Sequence, residues 1–252
     1  MTDAVTAAVL VIGDEILSGR TRDINVQQIA EFLGPLGVQV KEARVVGDDQ
    51  DRIVAALNAL RADYDYVFTT GGIGPTHDDI TADAIAAAFG VSAAENPEAL
   101  AIITERYRET GVELTPARRR MARTPEGAVL VANPVSGAPG FQMENVFTLA
   151  GVPSIVRGML EDIGPRLKTG AVVHTVTVRG QNLREGEIAE ALGKLAEATP
   201  GVSLGSYPWF TGQGYGAHLV ARSTDAAALD GVKAALVEIV EGQGSAAEVV
   251  DG

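Results

Sequence analysis

The chain has 252 residues, 46% of them hydrophobic and 21% charged, with a formal net charge of -13. That balance excludes a general nucleic-acid binder, whose footprint is basic, and no stretch approaches the roughly 20 apolar residues of a membrane-spanning helix. Zero cysteines exclude disulfides, thiolate catalysis and cysteine-ligated metal centres.

Taken in order, Ala8 to Ile12 reads as a buried strand ending in Gly13-Asp14-Glu15. The start, Met1-Thr2-Asp3-Ala4-Val5, has no basic leader region, and Val9 to Ile12 is too short for a signal core, so a cytoplasmic location is expected. A long polar connection leads to Asp23, a candidate N-cap, and to a helix carrying Val26, Ile29, Ala30 and Leu33 on one face. Val38 to Val46 is a second strand, and Gly47-Asp48-Asp49 opens a helix with Ile53, Leu57 and Leu60 inward. Tyr66-Val67-Phe68 is a third strand, followed by Thr69 to Thr81 and then by Ile80, Ala84 and Ala88 on a helical face. This alternation predicts a three-layer α/β/α domain with a mostly parallel sheet and right-handed crossovers.

Further on, Asn96-Pro97-Glu98 opens a helix that ends near Gly111, and Pro116 starts a short basic one. Val129 to Ala132 and Val146 to Ala150 are strand candidates, and Pro153 is an N1 proline. The first domain is expected over 1–168. A small α+β domain with the order βαββα is expected over 171–241, and a flexible tail over 242–252. Gly212, Gly214 and Gly216 read as a hairpin loop in preference to a ligand loop.

The chemistry centres on Thr69-Thr-Gly-Gly-Ile-Gly-Pro-Thr-His-Asp-Asp-Ile-Thr81, at a strand-to-helix turn of the kind that binds ligands in open α/β sheets. Gly71, Gly72 and Gly74 lack a Cβ, so a phosphate can approach the main chain. Acidic pairs follow three successive strands: Asp14 with Glu15, Asp48 with Asp49, and Asp78 with Asp79. Such carboxylates repel one another and an anionic ligand, which points to a divalent cation, Mg²⁺ or Co²⁺, held by Asp14, Asp48, Asp78 and Asp79. Thr76 and Asp79 also have capping-box spacing, which gives them a purely structural alternative. Asn25 is read equally as a local cap and as a group orienting a ligand hydroxyl, and His77 as a solvated loop residue. Among Arg118, Arg119, Arg120 and Arg123, Arg119 and Arg120 are the candidates for neutralising phosphate charge. Thr76, and Gly140 within Gly137 to Phe141, are further candidate ligand contacts; Gly137 to Phe141 and Gly151 to Ser154 read as close-approach turns, with a purely structural role as the alternative.

Gly13-Asp14-Glu15-Ile16-Leu17 with Asp23-x-Asn25, the Thr69 to Thr81 stretch, and Gly137-x-Pro139-Gly140-Phe141 closely resemble the molybdopterin-binding domain of the competence/damage-inducible protein A family. The resemblance spans roughly 8–166. It implies that Asp79 and Asp48 correspond to the paired catalytic aspartates of molybdopterin adenylyltransferases. It further implies either a metal-dependent pyrophosphatase acting on ADP-ribose or FAD-like dinucleotides, or molybdopterin and nucleotide binding with adenylyl transfer in molybdenum cofactor biosynthesis. The implied partner is a small phosphorylated ligand (ADP-ribose, FAD or molybdopterin), with no nucleic acid and no membrane; members often form homo-oligomers. The deamidase domain of longer members has no counterpart in this sequence, so deamidation is not expected. One departure is plain: where that branch reads Leu-Pro-Gly-Val-Pro-x-Glu-Met, this chain reads Leu149-Ala-Gly-Val-Pro-Ser-Ile-Val156.

Overall fold

The computed structural model describes residues 4–212 and 214–250. Met1, Thr2 and Asp3, read above as the start of the first domain and as lacking a leader, and Asp251 and Gly252, the end of the expected tail, lie outside the described residues. The chain divides into two compact units between Ala171 and Val172.

The first unit contains β1 (Val5–Ile12), α1 (Asp14–Leu17), α2 (Asn25–Leu33), β2 (Val38–Val46), α3 (Gln50–Asp63), β3 (Tyr66–Thr70) and α4 (Thr81–Phe89). It continues with β4 (Ala93–Glu95), α5 (Pro97–Thr110), α6 (Pro116–Arg119), β5 (Arg123–Pro125), β6 (Val129–Val131), β7 (Gly140–Met143), β8 (Val146–Leu149) and α7 (Pro153–Ile163). Among the described residues the main sheet has six strands in the order β2-β1-β3-β8-β7-β6. The β2-β1, β1-β3 and β3-β8 pairings are parallel, and β8-β7 and β7-β6 are antiparallel.

Alternation along β1 explains the layers, because successive side chains leave a strand on opposite faces. Ala7, Val9 and Val11 pack with Ile29 and Leu33 of α2 and with Val156, Met159 and Leu160 of α7. Ala8, Leu10 and Ile12 pack with Ile53, Leu57 and Leu60 of α3 and with Ile85 of α4. Burial on both faces makes β1 a continuous apolar run, as central parallel strands are. The mostly parallel α/β expectation is met.

Two features of this unit differ from the sequence reading. Strand β7 takes in Gly140 and Phe141, the end of the stretch expected to be a close-approach turn; only Glu144 and Asn145 separate it from β8, and so short a link joins antiparallel neighbours. Gly140 therefore sits inside the sheet, where an added Cβ would stand 2.3 Å from the Thr148 carbonyl oxygen. Its small size serves strand packing, which corrects its assignment as a ligand contact. The β4-β5 ladder, three residues on each side, was also not expected.

The second unit contains β9 (His174–Gln181), α8 (Glu185–Ala198), β10 (Ser203–Thr211), β11 (Gly214–Ser223), α9 (Ala226–Gly242) and β12 (Ala247–Val250). Its antiparallel sheet has the order β10-β11-β9-β12. Val178, Ala217, Leu219 and Ala221 bury against Ile188 of α8 and Leu229, Val232 and Leu236 of α9. The βαββα expectation is corrected to βαββαβ. Ala247 to Val250 of the expected flexible tail pair with Thr177 to Gly180, because the open edge of β9 supplies unpaired backbone groups. Thr211 of β10 pairs with Gly214, the first residue of β11, and Gly216 is within β11 opposite Trp209.

Candidate functional site

The parallel strands β1, β3 and β8 end on one side of the first unit, and the loops that leave them line a groove of about 610 Å³. Glu15 and Thr21 come from the connection after β1, Gly71 to Pro75 and Asp79 from the loop after β3, and Ala150 to Pro153 from the turn after β8. This is the strand edge where open α/β sheets place ligands.

The loop after β3 is shaped by its glycines. Gly71 and Gly72 have φ of 97° and 67°, left-handed values that side chains rarely adopt. A Cβ on Gly71 would lie 2.2 Å from the Ile12 carbonyl oxygen, and one on Gly72 would lie 2.1 Å from the Thr81 hydroxyl. At both positions the space opposite the missing Cβ is filled by the protein itself, not by open groove. The Thr81 hydroxyl donates to the Gly71 carbonyl at 3.0 Å, the Thr81 N–H donates to the Gly72 carbonyl at 3.0 Å, and the Gly71 N–H donates to Leu149 at 3.2 Å. With those groups engaged, the N–H groups of Gly72, Ile73 and Gly74 donate to no acceptor among the described residues. Three consecutive free donors beside a groove are suited to an anion.

Asp79 is half-buried against this loop. Its Oδ2 accepts from the Thr76 N–H at 2.7 Å and the Thr76 hydroxyl at 2.6 Å. Helix α4 begins only at Thr81, with Ile80 at its N-cap, so the pair closes a loop turn and not the capping box anticipated. Asp78 is exposed, and the neighbouring Thr76 side chain, the largest influence, holds its carboxyl below the usual range.

Asp48 is half-buried, and its Oδ2 accepts the Asp14 N–H at 3.0 Å. Burial pushes its carboxyl above the usual aspartate range; the Asp14 N–H opposes that, and the charges of Asp14, Glu15 and Asp78 add to it. These acids therefore share an electrostatic neighbourhood. Yet among the described residues no three His, Asp or Glu side chains assemble as a metal-ligand group. The expected set of Asp14, Asp48, Asp78 and Asp79 thus does not form a ready-made three-acid cation site among the described residues.

The arginines separate by partner. Arg119 forms a two-pronged pair with Glu95 on β4, one prong at 2.7 Å, and Arg123 pairs with Asp83. Arg118 lies over the Tyr107 ring and donates to the Glu113 carbonyl. The Arg120 guanidinium has no hydrogen bond or ion pair among the described residues, and the residue lines a small cleft with Gly72, Gly74 and Asp79. The structure thus places Arg120 beside the glycine loop and commits Arg119 to Glu95.

Asn25 is 4% exposed and donates through Nδ2 to the Gly151 carbonyl at 2.8 Å. The Val26 N–H is capped instead by Asp23, at 3.1 Å. His77 is an exposed loop residue. The sequence reading did not single out Asn133, which is 7% exposed and lines the groove with Ser136. Its Oδ1 accepts from the Val135 and Ser136 N–H groups, each at 3.1 Å, and its Nδ2 donates to the Ala138 carbonyl at 2.7 Å. The Asn133-Pro134 pair, an Asx-turn signal, was the available clue.

Residues 8–169 match the family described as a probable molybdopterin binding domain, and residues 173–248 match the FAD synthase middle domain. A CinA-like protein of Gemmatimonas aurantiaca is 38% identical over 212 residues, covering 79% of this chain and 50% of that protein. A protein of Pyrobaculum arsenaticum is 37% identical over 212 residues, covering 80% of this chain and 79% of its own length. The crystal structure of the protein CinA with unknown function from Thermoplasma acidophilum is similar with a TM-score of 0.59 and 36% identity, covering 65% of this chain and 98% of that one. The chain thus spans about half the length of the CinA-like relative from Gemmatimonas. No helix among the described residues is long and apolar enough to cross a membrane.

Proposed function

The chain belongs to the molybdopterin-binding domain family, and from that premise we propose that its first unit is a pyrophosphatase of ADP-ribose-like or flavin dinucleotides, working with a divalent cation. The observation that carries this reading is the run of free N–H groups at Gly72, Ile73 and Gly74, with the unpaired Arg120 guanidinium beside it. Hydrolysis of a phosphoanhydride places water on one phosphorus and leaves negative charge on the departing phosphate. Fixed donors aimed at that charge lower the barrier without reorganising. Asp79, locked by Thr76 at the edge of the groove, is the carboxylate positioned to accept a proton from the incoming water. The likeness of the second unit to the FAD synthase middle domain supports a dinucleotide substrate.

A divalent cation, held by acids of this edge, would supply charge neutralisation. Magnesium commonly takes one or two carboxylates and completes its shell from phosphate and water, so a ready-made set of three acids is not required. The acids available to it are Asp14, Asp48 and Asp78.

A second reading, a molybdopterin or nucleotide binder without turnover, is favoured by the engagement of Asp79 with Thr76 and by the open acid set. Incubation with ADP-ribose, with Mg²⁺ or Co²⁺ and then with EDTA, separates the two. AMP release that EDTA abolishes is the expected result; calorimetric binding with no AMP released would overturn the pyrophosphatase in favour of the binder.

A further inference from the structure

Next to the groove, sharing Glu15, Thr21, Gly71, Gly151 and Pro153 with its wall, is a second cavity of about 50 Å³ that reaches down to Asn25 and Thr70. Both residues are almost fully buried, at 4% and 1% exposure. Both also carry an atom without a hydrogen-bond partner in the chain: Asn25 Oδ1 and Thr70 Oγ1. A buried polar atom left unpaired is costly, and native structures avoid it unless a function or a bound molecule accounts for it.

The chemistry of what would pair with them is restricted. The Gly151 carbonyl accepts from Asn25 Nδ2 at 2.8 Å, which fixes the amide orientation, since a flipped amide would set two oxygens against each other. The atom left over is therefore an acceptor and needs a donor. A few hydroxyl-sized groups fit a cavity of this volume, because one water needs about 10–15 Å³. A flat bicyclic ring does not fit. Arg22, also on the cavity wall and without an ion pair or hydrogen bond among the described residues, can neutralise an anion at its mouth.

We infer that this cavity is a sugar-hydroxyl subsite, in which Asn25 Oδ1 and Thr70 Oγ1 receive hydrogen bonds from the ribose of a phosphorylated ligand whose phosphate lies on the Gly72 to Gly74 donors. The inference rests on the phosphate groove proposed above and adds what that reading does not specify, the two side chains, Asn25 and Thr70, that read the sugar hydroxyls of the ligand.

The test uses isothermal titration of the full chain with inorganic pyrophosphate, ribose 5-phosphate and 2,3-dideoxyribose 5-phosphate. Ribose 5-phosphate is expected to bind about tenfold more tightly than the dideoxy sugar, the effect of one or two buried hydrogen bonds. In Thr70→Val, which removes only the hydroxyl, that ratio falls toward one while the melting temperature holds or rises. A ratio near one in the parent chain that binds pyrophosphate overturns the subsite alone and leaves the groove intact. No pyrophosphate binding overturns both. A roughly tenfold ratio that is unchanged in Thr70→Val, whatever the melting temperature, means that the hydroxyls are read elsewhere and overturns the inference.

Discussion

The backbone N–H of Asp14 donates to Asp48 Oδ2 at 3.0 Å, so the connection leaving β1 is tied to the one leaving β2 by a carboxylate whose neighbours are also acids. Burial, then the charges of Asp14, Glu15 and Asp78, raise the Asp48 carboxyl above its ordinary range, and the Asp14 N–H only partly opposes this. Between the ordinary and the raised value the folded chain holds a proton that the unfolded chain has released. Stability attributable to Asp48 therefore falls as pH climbs through that window and stays reduced above it. Asp48→Asn keeps an acceptor for the Asp14 N–H and removes the charge. Its melting temperature should exceed the parent's at pH 7 and match it near pH 4, as followed by calorimetry; equal shifts at both values would assign the effect to packing.

Asp79 holds the loop and faces the groove, and the two roles separate by substitution. Asp79→Asn retains an oxygen for the Thr76 donors, so its melting temperature should stay within a few degrees of the parent while AMP release drops about a hundredfold or more, the scale of a lost general base. Asp79→Ala should lose both activity and melting temperature. Undiminished turnover in Asp79→Asn would remove this carboxylate from the chemistry.

Neighbouring arginines should behave differently. Arg120→Ala removes the guanidinium beside Gly72 and Gly74 and should weaken pyrophosphate binding roughly tenfold, the scale of a charge-assisted hydrogen bond. Arg119→Ala loses its exposed pair with Glu95 and should leave that affinity unchanged. Paired calorimetric titrations compare the two, and a larger loss for Arg119→Ala would reverse the assignment.

Gly140 gives a structural control. Gly140→Ala drives a Cβ against the Thr148 carbonyl between β7 and β8, so destabilisation of about 1–3 kcal/mol, or more if the strands part, is expected in denaturant melts. A ligand-contact glycine would instead lose affinity at unchanged stability.

Strand β12 predicts the effect of a truncation. Ending the chain after Ser245 removes its pairing with β9 and exposes that edge, so the second unit should melt earlier and aggregate more readily, as read by thermal denaturation and light scattering. Unchanged melting would show that the pairing contributes little.

The sequence determined most of the first unit because its signals are local and repeated. The double-sided apolar run of β1, the helical spacing of Ile53, Leu57 and Leu60, and the Pro153 helix start each fix an element from a few neighbouring residues, and βα alternation then fixes parallel pairing. The glycine loop after β3 was legible in the same way, as was the convergence of loops at the strand ends. What only the tertiary structure decided is who is already engaged. Arg119 meets Glu95 from 24 residues away, Asn25 is oriented by Gly151 across 126 residues, and Gly140 is occupied by a strand that pairs beside it. A residue's chemistry is written in its type, but its availability depends on which distant partner desolvates it first, and sequence spacing does not encode that distance.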